Sequence, residues 1–237
     1  MASLLNQHAL ITGGSRGIGG AIASKLAALG CTVTIMSRME KDLQLKVTQL
    51  KRESKNQNHN YIVYDLSKTE TLESEIRKDQ NFPKINILIN CAGQTQKRLA
   101  ITTPQQEIES ILNVNLISPI LLSKIFAKQF SKSLISNAQI VNISSELAKP
   151  GNDLVGASTY GASKAAIWKF SSTLQKELKR SKRSASIKVH SVLPGHVTDT
   201  AIGNTVSKAE LDVAGEISIP TSSVAQVAQK VADILCQ

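Results

Sequence analysis

Residues 12–19 read TGGSRGIG, set between a short apolar run, His8 to Ile11, and an Ala-rich helical run, Ile18 to Leu29. A strand that breaks into glycines and re-forms as a helix offers a seat for a phosphate. The first N–H groups of such a helix have no partner within it and carry the positive end of its macrodipole, so an anion gains hydrogen bonds and charge together. Gly13, Gly17 and Gly19 lack a Cβ, which lets the turn adopt positive φ and lets a pyrophosphate and the neighbouring strand come close. Ser15, Arg16 and Ile18 complete the loop. Taken alone, the spacing G-x-x-x-G-x-G is equally that of an ordinary strand-to-helix turn, because it departs from the general dinucleotide fingerprint.

The next apolar run, Cys31 to Met36, ends in Ser37 and Arg38. At this point a dinucleotide fold sets a carboxylate on the ribose 2′-OH of NAD, or an Arg beside the 2′-phosphate of NADP. No acid stands at either position, and Arg16 brings a second cation from the glycine loop, so the pattern points to NADP(H).

Strand-like and helical runs alternate throughout. Strands are expected at His8 to Ile11, Cys31 to Met36, Tyr61 to Tyr64, Asn86 to Asn90, Gln139 to Ile143 and Ile187 to Leu193. The continuous apolar character of INILIN and QIVNIS is that of a parallel sheet covered on both faces, giving an α/β, doubly wound fold. Two long helices, about Pro104 to Phe130 and Thr159 to Lys179, each carry an apolar stripe suited to a subunit contact. No linker or repeat divides residues 1–237, which predicts a single domain.

A hydrophobic share of 41% is enough for one core. Three widely spaced cysteines, Cys31, Cys91 and Cys236, form no C-x-x-C pair, which fits neither a disulfide framework nor a metal site. No membrane span is expected from the apolar runs, and the seven residues ahead of the first strand leave no room for a leader. The net charge of +10 favours anionic partners. With 3% aromatic residues and no recognition motif, nucleic acid is not the expected one.

Asp65 and Leu66 follow the third strand, at the carboxyl edge where ligands bind in such sheets; Asp65 could accept from an adenine amino group or simply form a turn. Asn90, Ala92 and Gly93 end the fourth strand with small residues that allow the cofactor's ribose to approach. Tyr160 and Lys164 stand four residues apart on one helix face. A neighbouring ammonium stabilises a phenolate, so the pair is expected to bring the Tyr160 pKa down from its usual value near 10 and make a general acid. Ser144 and Ser145 alternate to opposite sides after the fifth strand.

Read in order, T-G-x-x-x-G-x-G, N-C-A-G, Asn115, Ser145, Y-x-x-x-K and Pro194-Gly195 make the chain resemble the classical short-chain dehydrogenases/reductases over nearly its whole length. The resemblance implies a Rossmann-type sheet of six strands in the order 3-2-1-4-5-6. Aligning IVNIS on the family's strand makes Ser145 the serine that holds the substrate carbonyl. Tyr160 would donate the proton, Lys164 would hold the nicotinamide ribose, and Asn115 would anchor a water in the proton relay. Pro194, Gly195, Val197 and Thr198 would line the nicotinamide pocket. Fifteen positions separate Ser145 from Tyr160, implying a loop from Glu146 to Ser158 longer than is usual in the family.

LINCAGQTQ (88–96), NVNLISP (113–119), IVNISS (140–145) and YGASKAA (160–166) are most similar to the 3-oxoacyl-[acyl-carrier-protein] reductases, particularly the short fungal mitochondrial form. That likeness implies NADPH-dependent reduction of a β-keto group on an acidic acyl carrier protein, in the mitochondrial matrix, with the cytoplasm as the alternative. Lys176, Lys179, Arg180, Lys182 and Arg183 are the expected basic patch near the active-site mouth. Val224 to Leu235 resembles the family's last helix, with no seventh strand after it in this sequence, so a homodimer through the long helices is expected alongside the family's homotetramer. A reductase of free quinones, sugars or steroids is the alternative enzyme. A silent NADP-binding scaffold has no chemical need of Ser145, Tyr160, Lys164 and Asn115 together.

Overall fold

The apolar runs fold as six parallel strands: β1 (His8–Thr12), β2 (Thr32–Ser37), β3 (Asn60–Val63), β4 (Ile87–Asn90), β5 (Gln139–Ile143) and β6 (Lys188–Val192). The computed structural model describes residues 4–54, 57–78, 82–133, 135, 137–197, 200 and 219–237. Among them the strands form one sheet, ordered β3-β2-β1-β4-β5-β6, as the family resemblance implies. Ile11 on β1 stands beside Ile35 on β2 and Ile89 on β4, and Ile89 beside Val141 on β5.

Successive side chains on a strand point to opposite faces, and each face builds its own core. Ile11, Ile35, Ile89 and Val141 meet α1 (Gly17–Ala28), α2 (Glu40–Glu53) and α7 (Val224–Leu235) through Ile22, Leu26, Leu43 and Val231. On the other face Leu10, Leu88 and Ile140 meet α3 (Leu72–Lys78) and α5 (Ser118–Ser133) through Ile76, Leu122, Phe126 and Phe130. α6 (Ser158–Leu178) adds Leu174 and Leu178.

The helix expected over Pro104 to Phe130 is interrupted. α4 (Gln105–Leu112) passes into a π-helical turn, Asn113–Ile117, before α5 begins, and the turn carries Asn115. By length and composition alone Gln105–Ser133 would be long and apolar enough to cross a bilayer, yet 56% of its apolar window is buried against the rest of the protein. Leu122, Phe126 and Phe130 hold it on the sheet, which is how a core helix behaves.

The strand order reverses between β1 and β4, so the segments leaving them diverge and open a crevice at the carboxyl edge of the sheet. α6 starts at that edge and descends to the opposite one, where β6 begins.

Candidate active site

Gly13 (φ +66°) and Gly17 (φ +56°) hold the loop after β1 in a conformation that L side chains rarely adopt. A Cβ on Gly19 would lie 2.3 Å from the Gly13 carbonyl oxygen, and one on Gly13 would meet the Ala92 backbone at 2.9 Å. The glycines thus allow loop, helix start and β4 exit to close on one another. Thr12 Oγ1 fastens them by accepting hydrogen bonds from the Cys91 N–H (3.0 Å) and the Ala92 N–H (3.1 Å). No side chain caps the start of α1, leaving its amides for an anion.

A cavity of about 450 Å³ runs along this edge. Gly13, Ser15, Arg16, Gly17, Ile18 and Gly19 line it at the glycine loop, and Ser37, Arg38, Asp65 and Leu66 at one end. Arg16 and Arg38 are exposed, and Ser37 Oγ is buried with no hydrogen-bond partner. Asp65 Oδ1 accepts from the Ser67 N–H (3.0 Å) and hydroxyl (2.9 Å), the turn role that the sequence left open. The glycine cradle, the uncapped helix, an orphaned hydroxyl and two arginines fit a dinucleotide with a phosphate on its adenosine ribose.

At the other end Ala92, Gly93, Pro194, Gly195 and Val197 join Ser145, Tyr160 and Lys164. Thr198 lies outside the described residues. Both serines line the cavity: Ser144 donates to the Lys164 carbonyl oxygen (2.8 Å), while Ser145 accepts from the Leu147 N–H (3.2 Å) and stands beside the Tyr160 hydroxyl, whose pKa it pulls down.

The electrostatics depart from expectation. Lys164, only 4% exposed, donates from Nζ to the Ile143 carbonyl oxygen at 2.9 Å. Burial pushes its pKa down to about 8. The Tyr160 pKa is not brought down: burial raises it to about 12, with the Ser145 hydrogen bond pulling partly the other way. Desolvation disfavours both charged forms. Tyr160 therefore carries its proton at neutral pH.

Two expected site residues stand behind the crevice instead of lining it. Asn115, 1% exposed, grips the main chain of Gln94: Oδ1 accepts from its N–H and Nδ2 donates to its carbonyl, each at 2.8 Å. The same Nδ2 reaches Ser163 Oγ at 3.0 Å, so the side chain braces the β4 exit against α6. Asn90 turns its amide into the core, donating to Asn142 Oδ1 at 2.7 Å. Cys91, Gln94, Leu147, Leu154 and His196 also line the cavity; the N-C-A-G motif pointed to Cys91 and the long loop after Ser145 to Leu147 and Leu154, while nothing in the sequence pointed to Gln94 or His196.

The basic cluster is not at the mouth. Lys176 lies twelve residues beyond Lys164, roughly 18 Å along α6 at the rise of an α-helix, and the other cations follow it toward the far edge of the sheet. Closeness in sequence to Lys164 suggested a shared location, but the helix runs away from the crevice. Among the described residues no group of His, Cys, Asp or Glu is arranged to hold a metal ion.

Residues 7–211 match the family described as short chain dehydrogenase. The chain is 34% identical over 188 residues to carbonyl reductase family member 4 of Xenopus laevis, covering 79% of this chain and 74% of that protein. It is 31% identical over 188 residues, with the same coverage, to 3-oxoacyl-[acyl-carrier-protein] reductase of Mus musculus. Among solved structures it superposes with a TM-score of 0.81, at 28% identity, on a short chain dehydrogenase from Burkholderia cenocepacia in complex with NADP, covering 98% of this chain and 91% of that one. The match runs through both ends of the crevice, from the glycine loop to the helix of Tyr160 and Lys164, and the chain belongs to the short-chain dehydrogenase family.

Proposed function

We propose that the chain is an NADPH-dependent reductase of 3-oxoacyl groups carried by an acidic acyl carrier protein, acting in the mitochondrial matrix. The observation that carries the chemistry is a protonated Tyr160 hydroxyl beside Ser145 and Lys164 in the wall of a crevice whose far end fits a 2′-phosphorylated dinucleotide. NADPH in that crevice supplies the hydride that the carbonyl carbon gains. Ser145 turns its hydroxyl to the carbonyl oxygen and orients it. Tyr160 gives its proton to the same oxygen, which leaves the alcohol and a phenolate. Lys164, buried beneath the ring, stabilises that phenolate until solvent returns the proton.

The reading of a carrier-linked substrate is supported by the name of the mouse relative, by the net charge of +10 and by the apolar wall that Leu147 and Leu154 offer an acyl chain. Lys97 and Arg98, exposed on the loop after β4, are cations on the crevice side of the sheet. A second reading, reduction of a free carbonyl compound, is favoured by the name of the frog relative and by the distance of the Lys176–Arg183 cluster from the crevice. Ile117, an exposed apolar side chain on the turn between α4 and α5, supports assembly as a dimer through these helices.

Turnover of acetoacetyl-carrier protein against free acetoacetyl thioester and quinone, each with NADPH and with NADH, tests the proposal. Preference for the carrier-linked substrate, lost on reversing the charges of Lys97 and Arg98, is the expected result. Equal or better turnover of the free compounds would replace the first reading by the second. Tyr160→Phe should lower reduction by 100-fold or more while NADPH affinity stays within about twofold, as loss of a general acid requires.

A further inference from the structure

Helix α6 carries Tyr160 and Lys164, yet it begins without a cap of its own. Its N-cap residue is Ala157, which has no side-chain acceptor to offer the first-turn amides. The acceptor comes from elsewhere in the chain. Gln96, 5% exposed, places Oε1 at 2.8 Å from the Thr159 N–H. Its Nε2 donates to the Arg98 carbonyl oxygen at 2.6 Å. These two main-chain partners fix which end of the amide is oxygen. Ser158 Oγ and Thr103 Oγ1 approach Nε2 at 3.3 and 3.4 Å and complete the surround.

The residue after Thr159 is Tyr160, so the hydrogen bond from Gln96 grips the backbone immediately before the phenol. The other side of the phenol is held by a second chain of bonds. Ser163 Oγ donates to the Tyr160 carbonyl oxygen at 2.6 Å, and Asn115 Nδ2 donates to Ser163 Oγ. Asn115 in turn clamps Gln94, two residues before Gln96. The β4 exit, residues 94–96, is thus a strap tied at both ends: to the π-helical turn by Asn115, and to the start of α6 by Gln96.

We infer that Gln96 is a positioning residue for the general acid, capping α6 from the β4 exit and so fixing where the Tyr160 hydroxyl stands over the crevice. This rests on the reductase reading for its catalytic part and on the hydrogen bonds alone for its structural part. A phenol misplaced by about 1 Å loses much of its rate advantage while the cofactor, bound mainly at the glycine loop, is scarcely affected. The strap also gives one segment two tasks, since Gln94 and Thr95 line the cavity while Gln96 behind them holds the helix.

The test uses the full chain with Gln96→Met, which keeps the shape and removes the acceptor, and Gln96→Glu, which keeps an acceptor for the Thr159 N–H and, with its carboxyl held protonated by burial, a donor to the Arg98 carbonyl oxygen. Three quantities are read: deuterium uptake of the peptide spanning residues 157–163, kcat and KM for carbonyl reduction, and the Kd for NADPH. In Gln96→Met, uptake at the helix start should quicken about fivefold, as loss of a cap implies. Its kcat should fall about tenfold, with NADPH affinity within twofold. Gln96→Glu should restore slow exchange and most of kcat. Unchanged uptake and kcat in Gln96→Met overturn the inference. So does an equal loss in both variants that tracks a fall in Tm, or a matching loss of NADPH affinity. Should Gln96→Met fail to fold, Gln96→Asn, one methylene too short to reach Thr159, decides by the same readings. Quickened exchange reversed by Gln96→Glu, in a chain that reduces no carbonyl, would overturn the reductase reading and leave the cap standing.

Discussion

The Lys164 ammonium lies 5.7 Å from the centroid of the Tyr160 ring, but it gives its hydrogen bond to the Ile143 carbonyl. It is a buried charge held at a cost to stability. Its pKa falls from 10.5 in the unfolded chain to about 8 in the folded one. Between those values the unfolded chain binds more protons, so stability rises as pH climbs from 8 toward 10.5. Below pH 8 both states are protonated and the penalty is complete. Tyr160, raised from 10 to about 12, acts in the opposite sense and lowers stability above pH 10.

Urea unfolding at pH 7.5 and pH 10 should therefore show the wild-type chain gaining on Lys164→Met by roughly 2 to 3 kcal/mol at the higher pH. A difference that does not change with pH would mean that Lys164 is not buried in its charged form. The same group should set the alkaline limb of carbonyl reduction, with kcat declining from about pH 8, where Lys164 loses its charge, and not from about pH 12.

Cofactor choice rests on charges at the opposite end of the crevice. Arg16 and Arg38 are both exposed, which places each at the lower end of the range for charge-assisted hydrogen bonds, about 1.5 kcal/mol. Replacing both by Ala should weaken NADPH about 100-fold and NADH by less than about threefold, and the gap should narrow as salt is added. Fluorescence titration with both nucleotides measures it, and an equal loss for the two would dissociate the arginines from the 2′-phosphate.

These two ends were legible in the sequence for different reasons. Buried parallel strands demand unbroken apolar runs, so QIVNI at β5 could be read to the residue. Positive-φ glycines leave an equally local trace at Gly13 and Gly17. Tertiary hydrogen bonds leave none. Nothing near Gln96 announces a partner 63 residues away, and Asn90 and Asn115 look alike in sequence whether they face the crevice or the core. Desolvation is equally silent: an i, i+4 pair of Tyr and Lys implies a depressed phenol pKa only if water reaches it, and at Tyr160 burial reverses the sign. The Lys176–Arg183 cluster was misplaced because the sequence shows how far a residue is along a helix and not at which edge of the sheet the helix ends.

Thr12 gives the sharpest test of how the glycine loop and the β4 exit depend on each other. It is 1% exposed, and its hydroxyl is the acceptor for two amides, those of Cys91 and Ala92. Thr12→Val preserves the shape and removes the acceptor, leaving two part-buried N–H groups without it, at a loss of about 1 to 3 kcal/mol. Thr12→Ser keeps the acceptor and deletes one methyl, for about 1 kcal/mol. The Ala92 backbone is also the surface against which Gly13 packs, with 2.9 Å from the position of a Cβ on that glycine. Once released, it no longer holds the turn in place, so Thr12→Val should weaken NADPH binding as well as stability, while Thr12→Ser should leave binding near the wild-type value. Chemical unfolding and nucleotide titration on the two variants separate the hydroxyl from the methyl. Equal losses in both would mean that packing, and not the paired hydrogen bonds, joins the phosphate loop to the strand that bears the rest of the site.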